Sequence, residues 1–252
     1  MALAGKHAFV TGGGRGIGRA VAAALARAGA AVTVIGRTEA PLREAVAAGE
    51  AAGCGVADVT DVVEVKRQVT AAEAARGPIA ILINNAGSAE SGPFIKADPS
   101  VFRTMWNVHL MGAVYASQAV LPGMLERGFG RIVNIASTAG LRGYAYISAY
   151  CAAKHALVGL TRALAAETAA RGVTVNAVCP GYTDTELVRD SIERVAAKTG
   201  RAQADVLAEY AKDAPIGRLI RPEEVAAAVV YLCSPEAAAV TGTTLAIAGG
   251  EM

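Results

Sequence analysis

The chain has 252 residues, 53% of them hydrophobic and 18% charged, and its formal net charge is only +2. That balance excludes disorder and provides for one large core, expected as a single α/β domain over residues 1–252. The lack of any lysine- and arginine-rich stretch argues against a nucleic-acid partner.

The chain opens directly into an apolar run at residues 8–11, the first predicted strand. There is no signal peptide and no long uncharged apolar span, so a cytoplasmic protein without a membrane partner is expected. A glycine-rich turn follows, Gly12-Gly13-Gly14-Arg15-Gly16-Ile17-Gly18. A helical pattern then covers 17–28, with Ile17, Val21 and Leu25 on one side. Further strands are predicted at 31–35, 55–58, 79–84, 131–136, 174–179 and 244–248. Helical patterns alternate with them at 41–52, 62–76, 100–125, 146–171 and 222–233. Pro41 and Pro222 suit first helical positions, where a missing N–H costs nothing. Composition shifts once, in a polar and charged insert at 183–218 with helical stretches at 186–198 and 204–212.

Alternating strands and helices imply a parallel sheet with helices on both faces. Ligands of such sheets bind beyond the carboxyl ends of the strands. Four short motifs fall there: the glycine turn, Asn84-Asn85-Ala86-Gly87, Ser137, and Pro180-Gly181. A glycine-rich turn between strand and helix lets backbone approach a pyrophosphate, which the helix N-terminus attracts. Read alone, the same glycines also fit a hairpin or linker.

Tyr150 and Lys154 stand four apart on a predicted helix and share one face. A free phenol has a pKa of about 10, and a neighbouring ammonium lowers it. A phenol tuned in this way exchanges a proton with a carbonyl or alcohol oxygen. Ser137 offers that oxygen a second hydrogen bond. Without its context, the pair equally describes a solvated helix surface.

These motifs occur together, in order and in register, and the chain resembles a short-chain dehydrogenase/reductase along nearly its whole length. The pattern is most similar to the 3-oxoacyl reductases and polyketide ketoreductases, through Ala214-Pro215-Ile216-Gly217-Arg218 and Arg221-Pro222-Glu223-Glu224. The resemblance implies a doubly wound, seven-stranded parallel Rossmann sheet and a ketone–secondary alcohol oxidoreductase, with 3-oxoacyl thioesters as leading substrates. It implies a catalytic set of Asn107, Ser137, Tyr150 and Lys154, with Asn107 supporting a water relay. Carried over to the cofactor are Gly12, Arg15, Gly16, Ile17 and Gly18 at the pyrophosphate, and Asp58 and Val59 at the adenine. Asn85, Ala86 and Gly87 would support the adenosine ribose and sheet centre. Lys154 would also hold the nicotinamide ribose, with Tyr150 beside it, and Thr183, after the cofactor-binding Pro180 and Gly181, would bond the carboxamide. The insert at 183–218 becomes a substrate lid rather than padding, and a homotetramer is expected.

Cofactor choice turns on the end of the second strand, where NAD-preferring folds place an acid. Here Gly36-Arg37-Thr38 follows instead, and Arg37 and Arg15 offer guanidinium groups to a 2′-phosphate. NADP(H) is therefore expected over NAD(H), unless Arg37 is merely a solvated surface residue. Four cysteines, at 54, 151, 179 and 233, lack CxxC spacing and read as reduced, mostly buried hydrophobes. Histidines 7, 109 and 155 show no metal-ligand pattern, so no metal is expected. Ser91, Thr138, Tyr144 and Leu187 are candidate substrate contacts, and Arg142 either meets an anionic carrier or is a surface residue. The competing reading is a non-catalytic dinucleotide-binding regulator or scaffold, from which the intact Ser137, Tyr150 and Lys154 set would distinguish an enzyme.

Overall fold

The computed structural model describes residues 1–251. All seven expected strands form: β1 (His7–Thr11), β2 (Ala31–Gly36), β3 (Gly53–Val56), β4 (Ile79–Asn84), β5 (Gly130–Ile135), β6 (Val173–Pro180) and β7 (Thr244–Ile247). They join in one sheet in the order β3-β2-β1-β4-β5-β6-β7, with every neighbouring pair parallel. The order reverses between β1 and β4, the switch point of a doubly wound fold. Between the strands run α1 (Gly16–Arg27), α2 (Glu39–Ala47), α3 (Val62–Arg76), α4 (Pro99–Trp106), α5 (Gly112–Glu126), α6 (Ser148–Thr168), α7 (Glu186–Thr199), α8 (Gln203–Lys212) and α9 (Pro222–Cys233).

Parallel strands need crossovers, so the helices cover both faces of the sheet and both faces are apolar. Val21 and Leu25 of α1 and Val225, Val229 and Leu232 of α9 pack on one face. Val65 and Val69 of α3 and Val120 and Met124 of α5 pack on the other. Within β1, Ala8 and Val10 enter the first layer and Phe9 the second, as strand alternation requires. Every residue of β4, β5 and β6 is buried.

Several expectations shift. β3 lies earlier than residues 55–58, because Asp58 belongs to a turn: its carboxylate accepts from the Thr60 N–H and hydroxyl, both at 2.8 Å. Pro41 is the third residue of α2 rather than the first, a position whose N–H also has no intrahelical partner. Pro222 does begin α9, where the Glu224 carboxylate bonds back to the Arg221 N–H at 2.8 Å. The helix expected at 100–125 forms, but a π turn at Asn107–Met111 interrupts it. The continuous span Pro99–Glu126 has 28 residues and a mean hydropathy of 1.2, long and apolar enough to cross a membrane by those criteria alone. No such span was expected. Its inner face carries Met105, Ala116, Val120 and Met124 into the core, while Trp106 is exposed.

Candidate active site

The glycine turn sits at the switch point. Thr11, the last residue of β1, accepts on its hydroxyl from the Asn85 and Ala86 N–H groups, both at 3.0 Å. The Asn85 amide donates to the Thr11 and Gly12 carbonyls at 3.0 and 3.1 Å. Asn85 therefore binds the β4 loop to the glycine turn with its own side chain. A Cβ on Gly18 would lie 2.2 Å from the Gly12 oxygen, so this fit admits no side chain. α1 starts at Gly16 with no acidic residue in its first turn, so its free N–H groups face a cleft suited to an anion.

One cleft follows from this turn over the strand ends. Its adenosine end is lined by Arg15, Gly36, Arg37, Asp58, Val59, Ala86 and Gly87. Its inner end is lined by Gly12, Gly16, Ile17, Gly18, Asn85, Ser137, Tyr150, Lys154, Pro180, Gly181 and Thr183. The cradle and the two ends fit a dinucleotide with its pyrophosphate at α1. Of the two arginines expected at the 2′-phosphate, Arg15 is ion-paired with Glu186 of α7 at 2.9 Å. Arg37 has no ion pair among the described residues.

The centre is held in register from below. Asn84 donates to Asn134 at 2.8 Å, Asn134 to the Thr161 hydroxyl at 2.8 Å, and that hydroxyl to the Leu157 carbonyl at 2.8 Å. This buried chain fixes α6 against β4 and β5, and α6 carries Tyr150 and Lys154. Ser137 ends the β5 loop, and its oxygen accepts from the Ala139 N–H at 3.1 Å, which leaves its proton for another acceptor. Lys154 donates to the Ile135 carbonyl at 2.8 Å, and its ammonium lies 5.5 Å from the Tyr150 ring centroid.

Burial dominates the electrostatics here. It pushes the Tyr150 phenol up to about 12, with hydrogen bonding from Ser137 working against it. The Lys154 ammonium is lowered by the same burial to about 7. The expected lowering of the phenol by Lys154 is therefore not the governing effect in the protein alone. An ammonium that is itself driven towards neutrality is a weak perturber.

Asn107 is not brought to this centre. It opens the π turn with its side chain exposed. The buried polar residue on this helix is His109, whose Nε2 bonds the Ser88 carbonyl at 2.7 Å. Its ring meets the Tyr150 ring edge to face, centroids 5.2 Å apart. Burial and Lys154 hold His109 well below the ordinary histidine range, so it is neutral. It lines a small cavity with Asn84 and Lys154, and neither the His109 Nδ1 nor the Asn84 Oδ1 has a hydrogen-bond partner among the described residues. Helical spacing carried the missed signal, since Met105, His109, Ala113 and Ala116 lie on one inward stripe.

A second cavity, of about 140 Å³, opens from the same centre. Ser137 and Tyr150 line both it and the inner cleft, as do Gly181, Leu187 and Val188. Tyr144 and Tyr182 form its walls, and Leu187, Ser191 and Tyr210 of α7 and α8 its roof. Tyr182 and Tyr210 stack at 4.3 Å. Arg142 is ion-paired with the buried Glu251 at 2.8 Å and lies over the Tyr144 ring. No group of three or more metal-ligating side chains occurs among the described residues.

Fold and site together define a class: a doubly wound α/β oxidoreductase that handles a nicotinamide dinucleotide beside a serine, a tyrosine and a lysine. The family model described as short chain dehydrogenase matches residues 6–196. The 2-(S)-hydroxypropyl-CoM dehydrogenase 3 of Xanthobacter autotrophicus is 43% identical over 96% of this chain and 94% of its own length. The acetoacetyl-CoA reductase of Shinella zoogloeoides is 39% identical over 98% of each chain. The solved structure of an actinorhodin polyketide ketoreductase variant with NADPH superposes with a TM-score of 0.94, at 38% identity, over 98% of this chain and 97% of that one. The chain belongs to the short-chain dehydrogenase family and is an oxidoreductase of CH–OH and carbonyl groups.

Proposed function

We propose that this enzyme reduces the ketone of a 3-oxoacyl thioester, that NADPH is its preferred coenzyme, and that Ser137, Tyr150 and Lys154 carry the reaction. The observation behind the reading is the shared lining: Ser137 and Tyr150 face the cofactor cleft and the substrate cavity at once. The names of relatives similar along the whole chain support the thioester. The Arg37 side chain, exposed at the adenosine end, supports the 2′-phosphate, as does the NADPH of the ketoreductase neighbour.

When bound, the nicotinamide supplies the hydride. The Tyr150 phenol, protonated throughout the neutral range, donates its proton to the carbonyl oxygen. Ser137 donates a hydrogen bond to the same oxygen and holds the carbonyl in place. Lys154, poised near 7, is able to return a proton to the phenol side of the cleft. We assign α7 and α8 as the lid, because their side chains roof the cavity and a further closure there would shed water from it. A homotetramer is in keeping with the exposed Trp106 of the helix at 99–126, and a cytoplasmic location with the four free cysteines.

The deciding measurement is oxidation of NADPH and of NADH against acetoacetyl-CoA, a β-keto ester, a cyclic diketone and an aryl ketone. Fastest turnover of acetoacetyl-CoA with NADPH is expected. Preference for the cyclic or aryl ketone would overturn the thioester assignment. Coenzyme binding with no turnover in either direction would favour the regulator.

A further inference from the structure

Glu251 lies four residues beyond β7, and its side chain is 1% exposed. Burying a carboxylate is costly unless partners hold its charge. Its Oε1 accepts from the Tyr144 phenol and, at 2.8 Å, from the Arg142 guanidinium. Arg142 also lies over the Tyr144 ring, 4.6 Å from the centroid. The phenol has one proton, which the carboxylate takes; the Thr138 hydroxyl at 2.8 Å then donates to the phenol oxygen. The other carboxylate oxygen, Oε2, is buried without a hydrogen-bond partner among the described residues. It lies against Gly181, where an added Cβ would be 2.6 Å away.

Each of these contacts leads to the substrate cavity. Thr138 and Tyr144 line one wall of it, and Gly181 lines both the cavity and the cofactor cleft. A single carboxylate thus holds the wall at 138–147 through Tyr144 and Arg142 and packs against the loop after β6 at Gly181, and both segments line the space where a ketone would meet Tyr150. Tyr144 and Tyr150 both line that space, with Tyr182 and Tyr210. Glu251 engages the proton of Tyr144 and so keeps it from the substrate.

We propose that Glu251 is a positioning residue for substrate, which fixes Tyr144 in the cavity wall and so sets the Michaelis constant without entering the chemistry. This rests on the reductase reading of the site, and two readouts separate the failure of one from the failure of the other.

The variants are Glu251→Gln, Glu251→Ala and Tyr144→Phe. The first readout, amide hydrogen exchange, needs no substrate. Glu251→Ala is expected to speed exchange across 138–147 about ten-fold while the glycine turn at 12–18 keeps its wild-type rate. Glu251→Gln, which retains an acceptor for the phenol, is expected to restore most of the protection. The second readout is steady-state kinetics on the panel ketone that the wild type turns over fastest. Glu251→Ala and Tyr144→Phe are each expected to raise KM about ten-fold with kcat within three-fold, and the double variant to be no worse than either. Unchanged exchange at 138–147 overturns the proposal, as does a fall in kcat at constant KM. If the wild type reduces no ketone, the reductase reading fails, and the exchange result alone decides whether Glu251 holds the wall.

Discussion

The environment of Tyr150, as much as its residue type, suits the proton donor that the proposed reaction requires. In the protein alone burial pushes its phenol up to about 12, which keeps it protonated through the neutral range and suits a reductase. Tyr150→Phe is expected to lower kcat by about a hundred-fold or more, with coenzyme affinity unchanged in a fluorescence titration. Near-full activity would remove Tyr150 from the chemistry. Lys154 makes a separate prediction about stability. Below pH 7 folded and unfolded chains both hold its proton, so it contributes no slope. Between about 7 and its ordinary 10.5, the unfolded chain binds the proton and the folded one does not. Stability therefore rises with pH through that window, by at most about 1.4 kcal/mol per pH unit. Above pH 10 the raised phenol of Tyr150 acts in the opposite direction, since only the unfolded chain loses that proton. Urea unfolding of wild type and Lys154→Met at pH 7, 8 and 9 isolates the lysine, and equal slopes would refute it. Ser137, Tyr150 and Lys154 were legible in the sequence because fixed spacing on a strand end and a helix brings them together. His109 was not, because a motif search weighs residue type before helical face. Its neighbour Asn107 carried the expected type on the exposed side.

At the scale of elements, the site depends on how α6 seats on the sheet. The Asn84–Asn134–Thr161 chain runs through the apolar core, and each member is buried. Asn134→Leu would leave the Asn84 amide and the Thr161 hydroxyl without these partners. It is expected to cost about 2–4 kcal/mol in chemical denaturation, with loss of turnover beyond what the stability change explains. A variant of wild-type stability would show that packing alone holds α6. The sequence pattern located these elements through their apolar periods. It misplaced β3 because Gly55 and Val56 continue smoothly into the turn residue Asp58, and a side-chain turn bond is invisible to hydrophobic period. The π turn escaped for a related reason: Asn107–Met111 reads as ordinary helix, and only the backbone bonding distinguishes the two. The ion pair between Arg15 and Glu186 joins the glycine turn to α7, a contact between segments far apart in the chain. It leaves Arg37 as the cation to test. Arg37→Asp is expected to shift the ratio of kcat/KM for NADPH over NADH at least about ten-fold towards NADH. An unchanged ratio would place coenzyme choice elsewhere.

For the whole molecule, the helix at 99–126 buries one side in the core and leaves Trp106 exposed on the other. Trp106→Arg is expected to convert the proposed tetramer to smaller species in sedimentation, and a wild-type monomer would overturn that assembly. The sheet order has a further bearing on time. Val10 of β1 pairs with Ile83 of β4, across two intervening strands of sequence. Such distant pairing closes late and slowly. The glycine turn takes its shape from that closure, through the bonds of Thr11 to Asn85 and Ala86. The binding cradle therefore forms only once β1 and β4 have paired. Coenzyme should slow unfolding in proportion to its occupancy while leaving the refolding rate untouched. In the cell it would act as a lock on finished molecules rather than as a template for new ones.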